Sequence, residues 1–291
     1  MDLERVDFGP LTSSPSASLA AEVHARALAG DLGPETVDEV RSERTRAIVP
    51  IAVVGGTLAV ILAITTIVEA AQEKGPEAVI GLEGIAVIAL VCLAVYAFVR
   101  RVVQPRGWLR LVRFVAFADA NGFIGRPVAD PARTPGPLGR RTFRYRRVFR
   151  FLTWEQRGVQ VETGEYVDSS TGTRSSVGMR LRYLAIPVRD ALPTATFLCG
   201  RSMSNPSPRS FAWVNALGRG RVQLLCEKDD VREVRAFFTD ELIAALTDKR
   251  RPAHAALEDG WFFAYFLPGG WEKPDMWRSV FRVAELVTRA G

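Results

Sequence analysis

Positions 126–150 hold eight arginines against a single aspartate, Asp130, and within them the run RRTFRYRRVFRF interleaves guanidinium groups with rings. Written as a strand, whose successive side chains point to opposite faces, Phe143, Tyr145, Phe149 and Phe151 fall on one face. Arg140, Arg144, Arg146 and Arg150 then line the other. Cations among aromatics suit nucleic acid, where phosphate contact combines with base stacking. Here the rings share a face that a sheet would bury, leaving only charge outside. That geometry fits anionic lipid head groups, and no nucleic-acid motif supports the other reading.

A second polar constellation sits among apolar residues. Glu83 is the only charge in the run VIGLEGIAVIALVCLAVYAFV. In an antiparallel hairpin pairing Val68 with Val79, it comes level with Ile64, beside Thr65 and Thr66, whose hydroxyls can hydrogen-bond a carboxyl. Intramembrane acids are functional suspects by default, but a lone acid makes a poor ion pathway. An intramembrane polar contact, with Glu83 near the outer interface, is the reading taken. Gly218, Arg219, Gly220 and Arg221 are too short for a phosphate loop, and no Walker, dinucleotide, zinc-protease or nucleophile-elbow pattern occurs. Neither His24 nor His254 has a second ligand at metal spacing, and Cys92, Cys199 and Cys226 form no CxxC. No catalytic, cofactor or metal residue is assigned, and the chain reads as a non-enzyme. A disulfide between Cys199 and Cys226 would need neighbouring strands.

What must carry these residues follows from charge and hydropathy. Of the 291 residues, 48% are hydrophobic, yet the apolar ones concentrate near 47–99. The run 47–68 has no charged residue and 79–99 only Glu83, with a short Gly-Pro-containing turn between them. Some 22 residues at 1.5 Å each span about 33 Å, enough for a bilayer core of about 30 Å. Arg41, Arg44 and Arg46 precede the first run, Arg100, Arg101, Arg106, Arg110 and Arg113 follow the second, and the turn holds only Lys74. The positive-inside rule then places both termini in the cytoplasm of a bacterial plasma membrane. The formal charge is −4 over 1–46, −1 over 47–101 and +11 over 102–291. An acidic, partly disordered and partly helical arm thus joins a basic domain through a two-helix transmembrane hairpin.

Disorder is expected over 1–16, then a helix over 17–29 closed by Gly30, and a second starting at Pro34. After the hairpin, a helix from Trp108 ends at Asn121 and Gly122. From 147 onward the pattern turns to strands: VQVETGEYV and VGMRLRYLAIPV as an antiparallel pair, then ATFLCG, RVQLLC, AALED and WFFAYF, the last two joined at Asp259 and Gly260. Thr239 caps a short helix, and Met276, Val280, Val283 and Val287 share one side of a closing helix. The fold class is α+β: a helical arm, the hairpin, and a cytoplasmic domain with a mainly antiparallel sheet and flanking helices.

The succession FADANGF, PGPLGR, VETGEYVDSSTG, RYLAIPV, FFTDELIAAL and LEDGWFFAYF resembles an uncharacterised actinobacterial family of two-span membrane proteins with one cytoplasmic domain. The resemblance covers roughly 45–270. The chain departs from it at Glu227, Lys228, Asp229 and Asp230, where the family carries a Gly-Asp-Phe-Asp type segment. It implies the topology and the fold, and no activity. The expected function is an interaction or sensing module near the inner leaflet, with the bilayer, anionic head groups and a protein partner or second copy as partners. The alternative is a membrane-anchored ligand-binding or enzymatic domain; no cofactor is implied.

Overall fold

The computed structural model describes residues 3–37, 105–130, 145–169, 180–188, 192–199, 214–217, 222–249, 252–266 and 270–290. The runs 47–68 and 79–99, with Glu83, Thr65 and Thr66, lie outside the described residues, as do Arg140 and Arg144. Two compact units divide the chain: Met1–Thr36 with Leu111–Gly291, and Val37–Arg110. Among the described residues no helix is long and apolar enough to cross a membrane.

In the first unit, nine strands form one sheet in the order β1-β2-β3-β4-β9-β8-β5-β7-β6, every neighbouring pair antiparallel. They are β1 (Ile124–Ala129), β2 (Tyr145–Gln156), β3 (Val159–Ser169), β4 (Arg180–Pro187), β5 (Ala195–Cys199), β6 (Val214–Asn215), β7 (Val222–Cys226), β8 (Ala253–Glu258) and β9 (Trp261–Phe266). Among the described residues the α-helices are α1 (Gly9–Thr12), α2 (Ala17–Ala29), α3 (Pro105–Ala120), α4 (Val231–Phe237), α5 (Asp240–Leu246) and α6 (Pro274–Ala290). The α+β class therefore holds.

Local chemistry accounts for many of the ends. Ser16 caps α2, its hydroxyl accepting from the Leu19 amide, and Gly30 closes it in the left-handed conformation. Thr239 caps α5 by accepting from the Leu242 amide. Asp259 and Gly260, with φ of 51° and 75°, make the tight turn between β8 and β9. The β8–β9 hairpin inserts between β4 and β5, so the third predicted strand is not the neighbour of the second.

One sheet face is roofed by helices through aromatic contacts. Trp154 meets Phe281 of α6 edge-on at 5.0 Å, and Phe238 bridges Phe197 at 5.9 Å and Phe262 at 6.2 Å. On the opposite face Val148, Tyr166, Leu181, Tyr183, Ala185 and Phe263 form a buried cluster, with Phe151, Trp261 and Tyr265 packed against it. Gly125 lets β1 run close beneath α3, since a Cβ there would lie 2.6 Å from Ala118 Cβ.

The N-terminal arm differs from expectation. Residues 3–16 are ordered: Leu3–Arg5 form a 3-10 turn, α1 follows, and Leu11 is buried. Val23, Ala27, Leu32 and Thr36 are buried as well, so the arm completes the domain instead of trailing from it. Val6, Phe8 and Leu11 are the apolar residues that tie this stretch down.

Candidate functional site

The basic segment enters β2, and there the strand is interrupted. Phe149 pairs with Glu165 and Leu152 with Thr163, so β2 takes one residue more than β3 over this stretch. The extra residue makes a β-bulge, and Arg150 holds the left-handed conformation within it at φ 53°. Side-chain alternation is out of step across a bulge. Val148 and Phe151 accordingly pack on the same cluster. Phe149 and Phe151 therefore do not share a face, and the two-faced reading is corrected there; residues 140–144 lie outside the described residues.

Arg150 is not a free surface cation. Its Nη1 donates to Glu165 Oε2, and its guanidinium lies 4.6 Å from the centroid of the Trp271 ring. The Glu165 side chain is only 1% exposed. Directly opposite Glu165 on β4 stands Arg182, itself buried, whose Nη1 donates to Met276 Sδ. The Arg182 guanidinium sits 5.5 Å from the Trp277 ring, and Trp277 Nε1 donates to the Trp271 carbonyl at 2.7 Å. Two guanidiniums, one carboxylate and two indoles thus join β2, β3 and β4 to α6. Each cation finds an anion or a ring face, which a buried charge requires. The cluster anchors helix to sheet, with the Glu165 carboxylate held by Arg150. Strand alternation puts Arg182 on the face away from Leu181 and Tyr183, and α6 covers that face too.

Arg146 stands opposite Asp168 in the β2–β3 register. Of the four arginines assigned to anionic lipid, Arg150 is the one whose head group the structure places, and it is committed inward.

The remaining reactive side chains are quiet. His254 Nδ1 accepts from the Cys199 amide at 3.2 Å, and burial lowers its pKa, so the ring is neutral. Burial pushes the Cys199 thiol up, and burial with the charge of Asp230 does the same for Cys226; neither is an activated thiolate. Both cysteines are free. Cys199 pairs with Val222 and Cys226 with Ala195, four residues apart along the β5–β7 pair. That is roughly 13 Å, beyond disulfide reach. Among the described residues no group of His, Cys, Asp and Glu is placed to hold a metal ion.

A second constellation lies where α3 ends. Asn121 addresses the backbone of Asp7 twice: its Oδ1 accepts from the Asp7 amide at 2.7 Å, and its Nδ2 donates to the Asp7 carbonyl at 2.9 Å. The same Nδ2 donates to the Phe117 carbonyl at 2.8 Å, which fixes the amide's orientation. Phe8 stacks on Phe117 at 6.0 Å, leans on Phe281 at 6.4 Å, and is covered by the Arg278 guanidinium at 5.0 Å. Further along, Arg26 pairs with Asp119 at 2.6 Å, and the carboxylate raises the Arg26 pKa. Asn121 was legible only as a helix terminator; its use as a reader of backbone was not.

Fold and site together define an α+β domain with one antiparallel sheet, helices over one face, and a structural ion cluster between them. No family model matches the chain, and no curated protein is similar to it. Among solved structures it is similar to the crystal structure of the mycobacterial trehalose monomycolate transport factor A, TtfA, at 10% identity and a TM-score of 0.42, over 62% of this chain and 93% of that one. A likeness that distant carries no argument.

Proposed function

We propose that the chain is a two-span plasma-membrane protein with both termini cytoplasmic, whose α+β domain serves as an interaction or sensing module beside the inner leaflet. One observation carries this reading. Met1–Thr36 and Leu111–Gly291 fold into a single compact unit. Two parts of one core must occupy the same compartment, so any path from Thr36 to Leu111 that enters a bilayer crosses it an even number of times. Between them lie two apolar runs, 47–68 and 79–99, each long enough for one crossing. The arginine flanks supply the side. Glu83, beside Thr65 and Thr66, is then an acid near the outer interface. Arg140, Arg144 and Arg146 remain the anionic-lipid contact, without Arg150.

Cysteine labelling in sealed cells tests the arrangement. In a chain otherwise free of cysteine, a membrane-impermeant reagent should modify a probe at Gly75 and miss probes at Ser13 and Gly291. Modification of either terminal probe, or protection of the one at Gly75, would overturn it.

A further inference from the structure

We propose that the cleft between α3 and α6 is a peptide-binding site which the chain's own residues 3–12 occupy in cis, and which accepts partner segments of the same chemistry, an aromatic residue held in an Asp-aromatic-Gly turn. The resident segment shows what the cleft takes. Asn121 reads Asp7 through both backbone groups, a mode of recognition that reads the main chain and not a particular side chain. Phe117 and Phe281 then receive one ring, and Arg278 closes over it. Stacked rings and a guanidinium over a ring face each add binding beyond area alone.

The ligand side is equally built. Asp7 Oδ1 accepts from the Gly9 amide at 2.8 Å, a turn that fixes Phe8 before it docks. A Cβ at position 9 would lie 2.9 Å from that oxygen, so a larger residue there would displace the Asp7 carboxylate. Preorganisation of this kind lowers the ordering cost of binding. The segment is held by few side chains. Phe8 is only half-buried, Asp7 and Gly9 are exposed, Val6 and Leu11 are buried, and the exposed residues Thr12, Ser13 and Ser14 join it to the rest of the arm. On the receptor side Asn121 is held by the Phe117 carbonyl, and Phe281 lies on α6, so the cleft persists when its occupant leaves. A partner carrying the motif would compete with a tethered copy, and would therefore bind when it is abundant or itself tethered nearby. The proposal gives the interaction module a partner class and rests on that reading in this respect alone; its test leaves the membrane arrangement out, so the two fail separately.

The experiment uses the full chain in detergent, with a protease site placed between Ser13 and Ser14. After cutting, a fluorescent peptide of residues 3–12 is added and its anisotropy followed, with near-ultraviolet circular dichroism reporting the fold. The cut chain should stay folded, exchange its fragment, and bind the peptide saturably, while the uncut chain takes up at least about tenfold less. The Phe8→Ala peptide, and the Asn121→Ala chain with the parent peptide, should each bind at least about tenfold more weakly. Unfolding on cleavage, a fragment that never exchanges, or equal binding of the Phe8→Ala peptide would each overturn the proposal, because the segment would then be ordinary core or its ring irrelevant.

Discussion

Glu165 is the carboxylate of the buried cluster between β2, β3, β4 and α6, facing Arg150 across the bulge and Arg182 across the β3–β4 pair. Removing one member of a buried ion pair leaves the other charge out of water, which costs about 3–5 kcal/mol. Glu165→Ala should therefore lower stability by about 3 kcal/mol in urea unfolding, whereas Arg232→Ala on exposed α4 should stay within about 0.5 kcal/mol. A Glu165→Ala loss below about 1 kcal/mol would show that the cluster holds nothing together. Glu162 makes the converse case on β3. Its Oε2 is buried without a hydrogen-bond partner among the described residues, and burial raises its pKa. Between the ordinary carboxylate range and that raised value the folded state keeps a proton that the unfolded state has released. Stability thus falls as pH rises through the window, and the full penalty applies above it. Glu162→Gln should raise the Tm at neutral pH, with the gain shrinking as the pH drops below the ordinary carboxylate range; a pH-independent difference would contradict this.

Elements with a strong local signal were readable, and those set by contacts distant in sequence were not. α6 carries its apolar residues at helical spacing, and Met276, Val280, Val283 and Val287 are indeed buried. The β8–β9 turn and the Thr239 cap announce themselves by residue type. The bulge in β2 does not, because an arginine occupies the left-handed position where glycine would have marked it. β1 hides for a related reason: Gly125 and Pro127 weaken its strand pattern, yet pairing with β2 holds it. Of the candidate site, the charge of Arg150 was legible and its partners were not, since Glu165 and Trp271 reach it through the tertiary fold. The packing of α3 on β1 yields a prediction at this scale. With Ala118 Cβ 2.6 Å from where a new methyl would go, Gly125→Ala must push helix and strand apart. Overpacking of this kind costs about 1–3 kcal/mol. Urea unfolding of the variant should show that loss, and parental stability would mean that the two elements are not in rigid contact.

At the scale of the whole molecule the arm and the domain are one folding unit interrupted by 37–110. Residues 1–36 joined through a long flexible linker to 105–291 should therefore fold, and should exceed 105–291 alone by at least about 2 kcal/mol, because without the arm the apolar burial that Leu11, Val23, Ala27 and Leu32 supply is gone. That joined domain, and not the C-terminal part by itself, is the right material for asking whether the basic segment meets lipid. Each arginine near an anionic surface contributes about 1 kcal/mol, screened beyond roughly 8 Å at physiological salt. Three engaged residues would then suffice to orient a domain that the proposed anchor keeps close. The joined domain should sediment with anionic vesicles at low salt, release at high salt, and ignore neutral vesicles. Changing Arg140, Arg144 and Arg146 together to Gln should abolish sedimentation and leave the Tm unaltered. Arg150→Gln should do the reverse, lowering the Tm through Glu165 while vesicle binding persists. If Arg150→Gln released the vesicles and the triple variant did not, the lipid contact would belong to the bulge and the outward reading of the segment would fail.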